Sequence, residues 1–337
     1  MVTRRRFIKG VALSSAVIAA RTFLHYTPAY AKNPQAMALM DAPNAAPPAS
    51  LGRVTAATLP IHAAPDAASP AVGQYARDDV FSVLAHINNA WFQSERGFVA
   101  ATQVQPVENA PQNALAPART WGEICAPFAD ARTQPRADAP IFYRLYYASV
   151  FRIAGVAKDA AGNAWYQLRE GLRRDAFIPA AHLRPISLDD LTPLSPEVKN
   201  KRIEVNTTIN LMRAYEDDKI ALETRVATGK LTLYTYTPNG SFRVISKKPS
   251  AHMMGLWGTP DYYDLPGVPF ATFFTPRGAA IHGAYWHNDY GSHRSHGCVN
   301  VPPAIARWYW RWTTPAAPYD SAEYYAAPGT PVIVSKT

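Results

Sequence analysis

The chain is short of cysteine and short of charge. Its 337 residues hold two cysteines, Cys125 and Cys298, and only 18% are Asp, Glu, Lys or Arg. Two thiols cannot build a disulfide-rich scaffold; at most they pair with each other in an oxidising compartment. Metal-binding spacing is missing too. There is no H-E-x-x-H and no C-x-x-C, so the histidines near Cys298 fit no zinc motif. Beyond the N-terminus no apolar run is long enough to cross a bilayer. What is present is apolar residue, at 48%, and proline, at 30 positions. That mixture predicts a mainly β protein with two or three domains joined by loops and linkers.

Residues 1–31 read as a processing signal. Arg4, Arg5, Arg6 and Lys9 precede a short apolar stretch, and Ala29-Tyr30-Ala31 offers the small-x-small pattern of a cleavage site. The run TRRRFIK resembles the twin-arginine export signal; an ordinary secretory signal or an uncleaved anchor are the alternatives. Export places the protein in the periplasm or at the cell wall or cell surface, with membrane contact only through this segment. Together with Arg21 these basic residues supply five of the net +9 charges, so the remainder carries +4. A mild basic bias suits a polyanionic wall surface and gives no argument for nucleic acid. Residues 32–50, rich in Ala, Pro and Asn, form a flexible spacer.

Residues 51–107 alternate apolar and polar positions in short segments separated by turns, which predicts a small β barrel. The pattern returns in 120–187. Asn89-Ala90-Trp91-Phe92-Gln93 is echoed by Asn163-Ala164-Trp165-Tyr166-Gln167, and Gly97-Phe98-Val99-Ala100 by Ala176-Phe177-Ile178-Pro179. A repeat of this kind marks two copies of one module. Each copy resembles the bacterial Src-homology-3-like domain, which implies wall or peptide binding beside a wall-active enzyme. Trp91 and Trp165 are expected as core residues. The insertion 170–175 departs from the pattern in the second copy. Cys125, in WGEICAPF, reads as a small buried apolar residue.

From residue 201 to 337 the chain is β again. RIEV and INLMRAY alternate, Glu216-Asp217-Asp218 makes a tight turn, and KIALETRVAT returns, predicting a hairpin. The chemistry gathers further on, in Ala280-Ile281-His282-Gly283 and in the stretch GSHRSHGCVN at 291–300. His282 closes an apolar strand. Cys298 lies on a turn shortly before a proline-started helix, VPPAIARWYW. A histidine could take the thiol proton and a helix N-terminus could favour the thiolate. Gly297 permits a bend that aims N–H groups at an oxyanion. A metal site or a merely polar loop remain open on the residue types alone. His287 and His293 read as solvent-exposed, Arg294 as meeting a carboxylate or water. Trp308, Tyr309, Trp310 and Trp312 read as core plus interface.

His282-Gly283 followed by Ser295-His296-Gly297-Cys298-Val299-Asn300 resembles the signature of the YkuD-type L,D-transpeptidases, and TPNGSFRV and the closing GTPV strand fit that family as well. The resemblance covers about 201–337. It implies a β-sandwich-like catalytic domain with a short helix after the cysteine. It implies Cys298 as nucleophile and His282 as general base, with no metal or organic cofactor. Gly283, Ser295, His296, Gly297 and Asn300 would support the site, with the Gly297 and Cys298 N–H groups as oxyanion donors. Trp286, Arg294 and Tyr263 are candidate substrate contacts. The implied partners are peptidoglycan stem peptides: a tetrapeptide donor and a diamino-acid side-chain amine as acceptor. The implied reaction is 3→3 cross-linking with release of D-Ala. The alternatives are an L,D-carboxypeptidase trimming tetrapeptides and a non-catalytic wall-binding module. Some members have Ser after the first histidine; Gly283 stands there here.

Overall fold

The computed structural model describes residues 51–336 apart from 89, 170–174, 260 and 326–328. The export signal, the spacer and nearly all of the 170–175 insertion lie outside the described residues. No helix among the described residues is long and apolar enough to cross a membrane.

The first unit contains β1 (Leu51–Val54), β2 (Thr58–His62), β3 (Ala71–Ala76), β4 (Val80–Ser82), β5 (Ala85–Ile87), β6 (Trp91–Ser94), β7 (Gly97–Ala100) and β8 (Val104–Val107). They form two antiparallel sheets, β4-β1-β8 and β3-β2-β7-β6-β5. The second unit contains β9 (Trp121–Ile124), β10 (Phe128–Arg132), β11 (Ile141–Tyr146), β12 (Val150–Lys158), β13 (Ala164–Leu168), β14 (Ala176–Pro179) and β15 (Leu183–Pro185), in the order β11-β10-β14-β13-β12-β9-β15. The sequence echo is an echo of register. Trp91 faces Ala100 across β6–β7, and Trp165 faces Pro179 across β13–β14.

The copies differ at one strand. In the first, Val83 and Leu84 separate β4 from β5 and the sheets stay apart. In the second, β12 runs unbroken, pairing β9 at one end and β13 at the other, with a register shift between Ile153 and Gly155 that bends it. The expected barrels therefore appear as open sheets among the described residues, with β11 and β15 as the edges of the second. Of the two tryptophans expected in the core, Trp165 is buried and Trp91 is not. A strand's period of two sends neighbours to opposite faces, and it is Phe92 and Tyr166 that join the clusters of Ile61 and Val99 and of Leu168 and Ile178. Trp91 stays half-buried against His62, while Trp165 is buried and donates Nε1–H to Asp159.

The third unit begins with β16 (Lys201–Asn206), β17 (Leu211–Glu216) and β18 (Lys219–Arg225). Asp217 takes φ 53° in the tight turn of the predicted hairpin. Then follow β19 (Thr228–Gly229), β20 (Gly240–Arg243), β21 (Ser246–Met254), β22 (Asp264–Phe273), β23 (Ala280–Gly283), β24 (His293–Ser295), β25 (Val299–Val301), the helix α1 (Pro303–Trp312), β26 (Tyr324–Tyr325) and β27 (Pro331–Ser335). One sheet runs β18-β17-β16-β27-β20, another β25-β23-β22-β21-β26, and β19 pairs β24. Val205, Met212 and Val334 from the first sheet share a core with Phe270, Ile281 and Val299 from the second. This is a sandwich with α1 buried in it. Trp308, Tyr309, Trp310 and Trp312 are all core residues, none an interface platform. Lys247 Nζ donates to the Trp310 and Thr313 carbonyls at 2.7 and 2.6 Å, and Lys201 Nζ to Trp312 O at 3.0 Å. These two buried amines satisfy carbonyls that the helix end leaves unpaired.

The units are not beads on a string. Trp121 and Val150 of the second unit belong to the core cluster of the third, and Trp121 Nε1–H donates to Tyr319 O at 2.7 Å. The buried Arg53 guanidinium of the first unit donates to Tyr285 O at 2.7 Å.

Candidate active site

Cys298 and His282 come together through strand pairing. β23 and β25 run parallel with Ile281 beside Val299 and His282 beside Asn300. In a strand, alternate residues share a face, so Cys298 and Asn300 lie on the face that carries His282. The thiol is half-buried at the mouth of this pair. Its Sγ lies 3.8 Å from Gly278 O. Burial pushes the thiol up to about 11, opposed by the backbone N–H of Ala280. The helix N-terminus does not offset this: β25 stands between the cysteine and α1, and the start of the helix packs against Gly283 instead.

His282 is 2% exposed. Its Nδ1 lies 3.0 Å from Gly283 O and its Nε2 3.0 Å from Asn300 Nδ2. An amide nitrogen and a carbonyl oxygen fix the tautomer: Nδ1–H donates to Gly283 O, and Nε2 accepts from Asn300. Burial holds the imidazole down to about 4. At neutral pH base and thiol are thus both uncharged. Among the described residues no hydrogen bond links Sγ to the ring; the imidazole is held by Gly283 and Asn300. The Gly283 carbonyl orients the ring without a serine at that position. A side chain there would collide, because a Cβ on Gly283 would meet Pro269 Cγ at 2.7 Å and Pro303 Cα at 2.9 Å.

The loop residues take distinct places. Ser295 Oγ donates to Cys298 O at 2.5 Å and accepts the Gly297 N–H at 3.1 Å. This is a correction to the expected oxyanion donors, since the Gly297 N–H is already engaged. The Cys298 N–H has no hydrogen-bond partner among the described residues and is the donor the turn leaves open. Gly297 takes φ 115°, which favours glycine, and a Cβ there would stand 3.4 Å from Tyr236 O. The His296 ring tilts on Tyr263 at 4.9 Å and its Nε2 lies 4.0 Å from Asp261. Tyr263 does sit near the sulfur: its phenol is raised first by burial and then by the charge of Cys298. Trp286 and Cys298 pack on one small apolar cluster of Ala251, Val268, Ala271 and Ala280. The Trp286 ring lies 5.8 Å from that of His282. Arg294 is exposed beside Asp289 at 3.5 Å.

Two histidines are placed differently from the expectation. His293 is half-buried, with Nδ1 3.0 Å from Thr228 Oγ1 and 3.2 Å from Gly229 O. His287 is buried to 1% and lies 3.2 Å from Asn300 Oδ1. Sequence reasoning also missed Lys230 and Asp261, which form an ion pair at 3.1 Å between the loop after β19 and the β21–β22 turn. Only tertiary contact brings those segments to Ser295 and His296, so no local signal marks them. The two free cysteines belong to different units and are not bridged. Cys125 is buried, its thiol also pushed up to about 11.

Comparison with known proteins agrees with the motif. Residues 200–334 match the family model described as the L,D-transpeptidase catalytic domain, YkuD. No curated protein sequence matches the chain. Among solved structures, a mutant L,D-transpeptidase from Enterococcus faecium is 31% identical over 42% of this chain and 51% of its own, with a TM-score of 0.33. This chain thus spans about half of that protein. The catalytic domain of an E. faecium L,D-transpeptidase is 31% identical over 40% of this chain and 96% of its own, with a TM-score of 0.31. L,D-transpeptidase 3 from Mycobacterium tuberculosis, solved with a faropenem-derived adduct, is 22% identical over 40% of this chain and 60% of its own, with a TM-score of 0.33. Motif, strand pairing and family match thus fall on one segment, and residues 200–334 are an L,D-transpeptidase catalytic domain of the YkuD family.

Proposed function

We propose that the chain is an exported peptidoglycan L,D-transpeptidase that joins stem peptides by 3→3 cross-links through an acyl-enzyme on Cys298. The observation that carries this reading is the half-buried Cys298 thiol on the β23–β25 pair, one strand from a buried, neutral His282, inside the segment that matches the family. A thiol raised by burial holds little thiolate at neutral pH. The proton must therefore leave as sulfur attacks. His282 Nε2 accepts it, exchanging its bond from Asn300 for one from the thiol. Sulfur bonds to the carbonyl carbon between the diamino acid and the terminal D-Ala. The Cys298 N–H faces the oxyanion. The intermediate collapses, and the D-Ala amine leaves with the proton from His282. The neutral side-chain amine of a second stem then attacks the thioester. Its proton passes through His282 back to sulfur, which regenerates the thiol.

The repeated strand order supports reading 51–107 and 120–187 as Src-homology-3-like modules that hold wall material beside the site. The TRRRFIK run supports export by the twin-arginine route. Incubation of the chain lacking residues 1–31 with a disaccharide-tetrapeptide tests the reaction by mass spectrometry. A cross-linked dimer short of one D-Ala is expected, absent with Cys298→Ala. Tripeptide alone would reassign the enzyme as a carboxypeptidase. No turnover would leave a wall-binding module.

A further inference from the structure

His287 is a buried imidazole that the reaction above does not use, and every polar atom of its ring is engaged. The Asp289 N–H donates to Nδ1 at 3.1 Å. Nδ1 therefore carries no proton, and in a neutral ring the proton sits on Nε2. Nε2 lies 3.2 Å from Asn300 Oδ1 and donates to it. With its oxygen so taken, the Asn300 carboxamide turns its Nδ2–H to His282 Nε2 at 3.0 Å. His282 then keeps its proton on Nδ1, toward Gly283 O at 3.0 Å. The direction of each bond follows from the one before it, and the series starts at a backbone N–H whose direction cannot reverse.

The segment that carries His287 is gripped from outside its own unit. On one side, Arg53 Nη2 of the first unit donates to Tyr285 O at 2.7 Å. On the other, the Asn288 N–H donates to Thr102 O at 3.2 Å and Asn288 Nδ2 to Ala101 O at 3.1 Å. Trp286 and His287 are the two residues between these grips. Arg53 is itself 2% exposed and fixed by Asp78 at 2.8 Å and Gln105 at 2.8 Å.

We propose that His287 is a positioning residue: braced by the first β unit at Tyr285 and Asn288, it sets the orientation of the Asn300 carboxamide and thereby holds His282 in the tautomer whose Nε2 is free to accept a proton. The first unit is then part of the catalytic framework as well as a candidate wall-binding module. A cross-strand asparagine can flip its oxygen and nitrogen at little cost when nothing fixes it. If Asn300 flipped, its Oδ1 would call for a proton on His282 Nε2 in competition with the Gly283 carbonyl, which calls for it on Nδ1, and the base would lose its lone pair in part of the molecules. His287 removes that choice. The Nε2–H of a glutamine can donate to Asn300 Oδ1 as the imidazole does; a leucine cannot.

The test uses the chain lacking residues 1–31, with His287→Leu, His287→Gln and Asn288→Ala. The first readout needs no substrate: long-range proton–nitrogen spectra of the His282 ring. The wild type should show one tautomer, protonated on Nδ1. His287→Leu should show a mixture, His287→Gln should restore the single form, and Asn288→Ala should lie between. The second readout rests on the transpeptidase reading. With a tetrapeptide donor, His287→Leu should lower kcat about 10-fold to 100-fold with KM little changed, and His287→Gln should recover most of it. A single Nδ1–H tautomer in His287→Leu would overturn the proposal, whatever the kinetics. If His287→Leu does not fold, Asn288→Ala with an unaltered His282 spectrum would overturn it equally. A wild type without turnover but with the expected spectra would refute the reaction and leave the positioning intact.

Discussion

His282→Ala is expected to slow acylation of Cys298 by about 10³-fold while leaving the fold in place, as measured by stopped-flow with a tetrapeptide donor. The size follows from the resting state. With the thiol pushed up to about 11, only on the order of one molecule in ten thousand carries thiolate at pH 7. A general base that takes the proton during attack contributes typically about 10² to 10⁴, and here no pre-formed thiolate substitutes for it. The resting protonation states also set the pH profile. The base works only unprotonated, and burial holds it down to about 4. Acylation by the wild type should therefore be flat through neutrality and fall on the acid side near that value. His282→Ala should lose the plateau and rise steadily with pH, because it depends on the small thiolate fraction. A variant with wild-type rate at pH 7 would remove His282 from the mechanism.

Acid should destabilise the protein well before its carboxylates are protonated. His282 and His287 are both buried neutral, and burial brings both from an ordinary value of 6.5 down to about 4. Above 6.5 neither state binds the proton. Between 6.5 and 4 the unfolded chain binds protons that the folded one refuses, so stability falls as pH falls through this window. Below 4 the contribution levels out. A shift of this size is worth about 3 kcal/mol for each ring. Because the two share Asn300, the joint loss is on the order of several kcal/mol rather than twice that figure. Urea unfolding at a series of pH values should show it, and His287→Gln should remove roughly half of the slope. A free energy of unfolding constant from pH 7 to pH 4 would mean that both rings take up protons in the folded protein as they do in the unfolded chain.

The catalytic motif was legible because it is local. His282 ends an apolar strand, and the Ser295-to-Asn300 run carries its own turn chemistry. The β16–β18 region was legible for the same reason, through alternation and one acidic turn. The misreadings came from long-range contact. His287 lies in a stretch rich in Asn, Asp and Gly, which reads as solvent-facing; it is buried because Arg53 and Ala101, far away in the chain, hold the residues beside it. The helix after Cys298 was visible, but not that Val299–Val301 would be drawn into a sheet and separate it from the thiol. The strand repeat of the first two units was plain in the spacing of their tryptophans. Which aromatic of the first pair enters the core depends on register, and register put Phe92 inside and left Trp91 half-buried, whereas Trp165 and Tyr166 are both buried.

The proposed reaction places the acyl group on Cys298. The direct measurement is to quench the chain lacking residues 1–31 with acid during turnover of a tetrapeptide donor, digest it, and weigh the peptide that contains Cys298. A mass increase equal to the donor less D-Ala is expected on that peptide alone, reversed by hydroxylamine and absent in Cys298→Ala. Turnover that continues in Cys298→Ala, or an acyl group found on any other residue, would contradict it.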